Sequence, residues 1–335
     1  MSENVRKQLQ LNASLPKGSK KRYKRSKSSK KNVSEPTQPS PTQQQPEPQV
    51  VAAEVIAPEF DVDIAQEVVF KPNPGPQTNF LSASEREVLY GGAAGGGKSF
   101  AMLADPLHGL NDPNFSGLLV RHTTEELREL IQKSQELYPK AIPGIKWSER
   151  KSQWIAPRGG RLWMSYLDKD MDVTRYQGQA FNWIGFDELT QWPTPYAWDY
   201  MRSRLRSAFS SQLGLYMRAT TNPGGNGHQW VKKMFIDPSP PNDSFWATNI
   251  ETGDTIKFPK GHSREGQPLF KRRFIPASLF DNPYLADSGD YEAMLLSLPE
   301  HQRKQLLEGN WDINEGAAFP EFNRSIHVVE PIDIP

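Results

Sequence analysis

The chain has 335 residues, no cysteine, 36% hydrophobic residues and a formal net charge of +1. The absence of cysteine excludes disulfides and thiolate metal sites. No stretch approaches the roughly 20 apolar residues that cross a bilayer, and the first residues lack the apolar segment of a signal peptide, so a soluble intracellular protein is expected.

The near-neutral total conceals opposite charges along the chain. Residues 1–31 hold 11 Lys or Arg and one acid, Glu3, which leaves 29 basic and 38 acidic residues, a charge of −9, on residues 32–335. Between tail and body, Pro36 to Gln49 contains five Pro and five Gln in 14 residues, a composition that buries no core. Residues 1–57 therefore read as a disordered tail. Its basic cluster either attracts nucleic acid through counterion release or acts as a solubilising arm.

From residue 58 onward, short apolar runs recur between turns and helices: Val88–Tyr90, Gly117–Arg121, Arg161–Tyr166, Trp183–Phe186 and Leu215–Ala219. This alternation predicts an α/β domain with a mainly parallel sheet flanked by helices. Thr123 to Tyr138 reads as a helix with a Thr123/Glu126 capping box and a face of Leu127, Leu130, Ile131, Ser134 and Leu137. Trp147 to Tyr166 reads as two strands joined by a turn at Pro157-Arg158-Gly159-Gly160, an antiparallel addition to the sheet. Residues 226–283 are rich in Pro, Gly and charge and read mainly as loops. Tyr291 to Leu307 is predicted helical, with Leu295, Leu298, Gln302 and Leu306 on one face.

Three segments carry chemistry. Gly92-Ala93-Ala94-Gly95-Gly96-Gly97-Lys98-Ser99 follows a strand and opens a helix, the setting of a phosphate-binding loop. Its glycines let backbone N–H groups close around a polyphosphate at the positive end of the helix. In such a loop Lys98 reaches the β- and γ-phosphates of ATP and Ser99 coordinates Mg²⁺. Phe181 to Glu188 is an apolar strand ending in two acids, Glu188 lying 90 residues after Lys98. Asp187 suits the Mg²⁺ shell, and Glu188 suits polarising a water for attack on the γ-phosphate. Arg218 to Gly225 is a strand ending in Thr220-Thr221-Asn222, either plain turn chemistry or a sensor of the γ-phosphate.

Together these segments resemble the ATPase domain of the large terminase subunit of tailed bacteriophages. Leu119-Val120-Arg121 before a Thr-Thr-Glu-Glu helix start, and Leu306-Leu307-Glu308-Gly309-Asn310-Trp311-Asp312 near the end, support the likeness, which covers about residues 77–329. The resemblance implies a P-loop NTPase of the additional-strand, catalytic-glutamate class. Its expected parts are an ATPase core over 58–225, a lid-like subdomain over 226–315 and a linker over 316–335 toward a nuclease domain for which the chain has no room. It makes Lys98 and Ser99 the Walker A residues, Asp187 and Glu188 Walker B, Thr220, Thr221 and Asn222 the coupling motif, and Gln77 the adenine reader. Motors of this kind complete the site with an arginine. The phosphate loop holds none here, so the candidates are Arg175 first, then Arg202, Arg204 and Arg121. The implied partners are double-stranded viral DNA, the portal protein of the procapsid, the small terminase subunit and further copies in a ring. The implied location is the host cytoplasm and, transiently, the portal. A helicase-like or remodelling ATPase and a nucleotide-gated docking module remain as other readings of the same residues.

Overall fold

The structure is a computed structural model that describes residues 68–207 and 214–313. The tail expected over 1–57 and the linker expected over 316–335 lie outside those residues. Nine strands form one sheet: β1 (Glu87–Gly92), β2 (Ser116–Arg121), β3 (Lys146–Ser148), β4 (Gln153–Ile155), β5 (Arg161–Tyr166), β6 (Trp183–Asp187), β7 (Tyr216–Thr221), β8 (Ser244–Trp246) and β9 (Lys271–Ala277). Their order is β3-β4-β5-β2-β6-β7-β1-β9-β8. Strands β5, β2, β6, β7, β1 and β9 run parallel, and β3, β4 and β8 pair antiparallel at the two edges.

Helices on both faces bury the central strands completely, which is why their sequences are continuous apolar runs. Every residue of β1 and β6 is buried. Alternate side chains feed two cores. Leu89, Leu118, Val120, Ile184 and Phe186 pack with Trp198 and Met201 of the helix Tyr196–Arg202 and with Trp230 and Phe235 beyond β7. Val88, Tyr90, Leu119 and Trp183 pack with Phe80, with Ala101 to Leu103 of the helix Lys98–Ala104, and with Leu127 and Leu130 of the helix Thr124–Ala141. That last helix carries the expected capping box, with Thr123 and Glu126 exchanging hydrogen bonds, and buries Leu127, Leu130, Ser134 and Leu137.

Strand β7 lies between β1 and β6, pairing Tyr90 with Thr220 and Thr220 with Asp187. One level across the C-terminal edge of the sheet thus carries the start of the phosphate loop, the Thr220-Thr221-Asn222 triplet and the acids. This is the place where open α/β sheets bind ligands.

Three expectations are revised. The stretch Trp147–Tyr166 holds three strands, because a second reversal at Glu149–Ser152, with Ser152 in left-handed backbone (φ 45°), adds β3 to the expected β4–β5 hairpin. The helix expected over Tyr291–Leu307 breaks into Asp290–Leu296 and Glu300–Leu306. Pro299 lacks the N–H that would continue the helix and disfavours helical backbone at Leu298. Leu295 and Gln305, rather than one continuous face, are then the buried positions. Finally, segment 226–283, expected mainly as loops, contributes β8 and β9, and β9 pairs directly with β1.

At its far end the sheet holds a buried ion cluster. Glu87 opens β1 fully buried, with Arg272 Nε 2.8 Å from one carboxylate oxygen and the Arg202 guanidinium on the other. Burial alone would raise the Glu87 pKa, but the two guanidinium groups outweigh it and hold the carboxyl below its ordinary value.

Candidate nucleotide site

The phosphate loop turns out of β1 through Gly92, whose φ of 136° is open to glycine, and a Cβ there would lie 2.5 Å from the Ala277 carbonyl. Four other parts of the chain hold the loop. Ala93 N–H donates to Ala277 O at 2.8 Å and Ala94 N–H to Leu306 O at 2.6 Å. Asn282 Nδ2 donates to Gly95 O at 2.7 Å, and Gln77 Nε2 to Gly97 O at 3.0 Å. Tyr90 supports it from beneath, its hydroxyl donating to Gly96 O at 2.7 Å. Lys98 opens the following helix with Ser99, and its ammonium donates to Ala93 O at 2.5 Å. Burial lowers the Lys98 pKa, opposed by the charges of Glu188 and Asp187 nearby.

Asp187 is fully buried at the end of β6. Its Oδ1 accepts from the Thr220 hydroxyl, and its Oδ2 lies 3.3 Å from Arg121 Nε. Glu188 has left-handed backbone (φ 60°, ψ 58°), a conformation that costs a non-glycine residue about 1–3 kcal/mol and clusters at functional sites. Its carboxylate accepts from Asn222 N–H at 3.3 Å and the Thr221 hydroxyl at 3.5 Å, with Arg121 Nη1 3.9 Å away. Burial, then the adjacent Asp187, raise the Glu188 pKa, and Lys98 and Arg121 oppose them. The Thr220-Thr221-Asn222 triplet is therefore bonded to both acids.

The structure joins Gln77, the phosphate loop, the two acids and the triplet at one edge. Arg175 does not meet them: its guanidinium bonds Tyr166 O and Asp172, packs over the Tyr166 ring at 5.4 Å, and remains partly exposed beyond β5. Arg202 is spent on the Glu87 cluster, at the opposite end of β1 from the loop. Arg204 stacks on Tyr200 and bonds Ser203. Arg121, the last-ranked candidate, is the arginine that faces the acids.

Sequence reasoning missed Thr190 and Asn282. Thr190 binds the Thr221 hydroxyl through both its N–H, at 3.2 Å, and its own hydroxyl, at 2.7 Å. A threonine two residues past the acids is a detectable signal, whereas Asn282 stands 187 residues from the Gly95 it holds.

Among the described residues no group of three His, Cys, Asp or Glu side chains could by itself hold a metal ion. Asp187 Oδ2 is nonetheless a buried carboxylate oxygen with no hydrogen bond. It and the Ser99 hydroxyl at the start of the following helix are hard oxygen donors, the chemistry that suits Mg²⁺, an ion that takes few protein ligands and relies on phosphate oxygens for the rest.

A phosphate loop after one strand, acids at the end of another and an additional strand between them define a P-loop NTPase of the additional-strand, catalytic-glutamate class. Residues 89–326 match the family "Terminase large subunit, T4likevirus-type, N-terminal", and the chain belongs to that family. The fold is similar to the large terminase of a thermophilic bacteriophage, at 15% identity and a TM-score of 0.53 over 79% of this chain and 60% of that one. The same terminase in complex with ATP-gamma-S gives 14% identity and a TM-score of 0.51 over 79% and 59%, and in complex with ADP 14% and 0.50 over 78% and 59%. This chain thus spans less than two thirds of the length of that phage terminase. No curated protein matches it. Among the described residues no helix is long and apolar enough to cross a membrane.

Proposed function

We propose that this chain hydrolyses ATP and couples hydrolysis to the movement of double-stranded viral DNA into a procapsid, as the motor domain of a large terminase. The observation that carries the reading is the bonding of the coupling triplet to both acids, Thr220 to Asp187 and Thr221 with Asn222 N–H to Glu188.

In this reading the amides from Gly95 to Ser99 and the Lys98 ammonium hold the β- and γ-phosphates, Lys98 exchanging the Ala93 carbonyl for phosphate oxygens. Ser99 and Asp187 hold Mg²⁺, which when bound offsets phosphate charge. Glu188, its proton affinity raised, takes a proton from water as the water oxygen attacks the γ-phosphorus and the bond to the ADP oxygen breaks. Asn222 Oδ1, buried and without a hydrogen bond among the described residues, is available to orient that water. Departure of the γ-phosphate changes what faces Glu188, and its bonds to Thr221 and Asn222 carry the change into the Pro223–Gly225 turn. Gln77 already spans Gly97 O and Asn73 N–H, so adenine reading entails exchanging one of these partners. Arg175, at the C-terminal edge and partly exposed, is offered to the nucleotide of a neighbouring copy.

By analogy with the family, the proposal extends to a ring of copies acting with the portal and the small terminase subunit in the host cytoplasm and at the portal. The test is ATP turnover by the full chain with and without DNA and portal. Stimulation by both supports a packaging motor. Stimulation by DNA with indifference to portal supports a helicase-like or remodelling ATPase, and ATP binding without turnover a docking module.

A further inference from the structure

The phrase Leu306–Trp311 supports the family resemblance, yet the chemistry above gives it no task. In the structure it is seated on two loops at once. Leu306 O accepts the Ala94 N–H at 2.6 Å. Three residues on, Gly309 takes a left-handed φ of 63°, and a Cβ there would lie 2.5 Å from Ala93 N and 3.0 Å from Gly92 C. The segment therefore lies directly against the phosphate-loop backbone.

Trp311 is buried, stacked on His228 with ring centroids 5.3 Å apart and 21° between planes, and edge-on to Phe274. His228 Nδ1 accepts Gly224 N–H at 2.9 Å, which fixes its ring proton on Nε2, and Nε2 donates to Trp311 O at 3.1 Å. Gln305 packs its amide over the same Gly224, 2.8 Å from where a Cβ would stand. Gly224 belongs to the turn that follows the coupling triplet. Trp311 Nε1 has no hydrogen bond among the described residues, so the indole serves as a plate and not as a donor.

We propose that Gln305–Trp311, with His228 as its positioning residue, is a second coupling path between the phosphate loop and the Asn222–Gly225 turn. The first path runs inside the sheet edge, from Glu188 to Thr221 and Asn222. The second runs over the outside, from Ala94 through Leu306 to Trp311, His228 and Gly224. A change at the Ala94 amide as the loop closes on a polyphosphate moves the Leu306 carbonyl, and the Trp311–His228 stack delivers that displacement to Gly224. Packed side chains and hydrogen bonds in unbroken contact are the kind of network that carries coupling between sites. The proposal rests on the ATPase reading, because without nucleotide there is nothing for the path to transmit.

The experiment uses the full chain carrying Trp311→Ala, Trp311→Phe or His228→Phe. A fluorescent ATP analogue measures affinity, phosphate release measures turnover, and hydrogen exchange follows residues 220–228 and 305–311. In the wild type, ATP is expected to slow exchange in both segments together. In Trp311→Ala and His228→Phe, affinity is expected to stay within about threefold while kcat falls roughly tenfold, and ATP no longer protects 220–228. Trp311→Phe, which keeps a plate on the imidazole, is expected to restore most of the turnover. Unchanged kcat and unchanged protection in His228→Phe would overturn the proposal. So would affinity and kcat falling in parallel with thermal stability in all three variants, which is the pattern of packing alone. If Trp311→Ala does not fold, His228→Phe and Trp311→Phe decide. A wild-type chain that binds no ATP at all removes the functional reading itself, and that failure is visible before any variant is made.

Discussion

Replacing Glu87 with Gln perturbs the strand that feeds the phosphate loop without touching the loop. Arg272 Nε lies 2.8 Å from the Glu87 carboxylate. At an effective dielectric of about 20, that separation gives a gross attraction of roughly 6 kcal/mol. Desolvation of the buried charges cancels much of it, but removing one partner strands the others, and the net loss for a broken buried pair is about 3–5 kcal/mol. In a domain of this size each kcal/mol moves Tm by about 2–4 °C, so Glu87→Gln is expected to lower Tm by roughly 10 °C at pH 7. The carboxyl pKa is held below its ordinary 4.5 in the fold. Its contribution is therefore fully present above that pH and is lost as pH falls below it toward the folded value. Thermal melts of both proteins from pH 7 downward check this: the gap should be constant near neutrality and narrow below pH 4.5. Equal Tm values at pH 7, or a gap that ignores pH, would refute the reasoning.

Glu188→Gln should abolish most turnover, by about a hundredfold or more, while retaining ATP in a filter-binding assay. Arg121→Ala removes one of the charges that oppose the rise of the Glu188 pKa, so the acidic limb of the kcat–pH profile should move to higher pH, with turnover lost on the acid side first. Arg175→Ala should cost roughly a thousandfold in kcat if its guanidinium reaches a neighbour's nucleotide; activity retained at every protein concentration removes that role. Gly309→Ala forces a Cβ onto the Ala93 amide and should weaken nucleotide binding in calorimetric titration and lower stability by about 1–3 kcal/mol.

Much of the sheet was legible because its strands are buried on both faces, so Val88–Tyr90, Gly117–Arg121 and Trp183–Phe186 read as apolar runs. The capping box at Thr123 was legible because helix starts are local. β9 was not: Lys271-Arg272-Arg273 opens it with three cations, and beside β1 its buried Arg272 is paired by Glu87, 185 residues away. Glu188 could be read from its place after an apolar strand, but its left-handed backbone could not. The role of Arg121 was obscured for the same reason as that of β9. An arginine ending a strand reads as a surface residue until the neighbouring strand places two carboxylates beside it.

The phosphate loop leans on Gln77 before it and on Ala277, Asn282 and Leu306 long after it. Eight consecutive residues thus take their shape from contacts that span most of the described sequence, a high contact order for a local motif. During synthesis the loop emerges early but lacks its braces until the chain near residue 306 has left the ribosome. A chain not yet extended past residue 306 lacks the Ala277, Asn282 and Leu306 contacts that shape the loop.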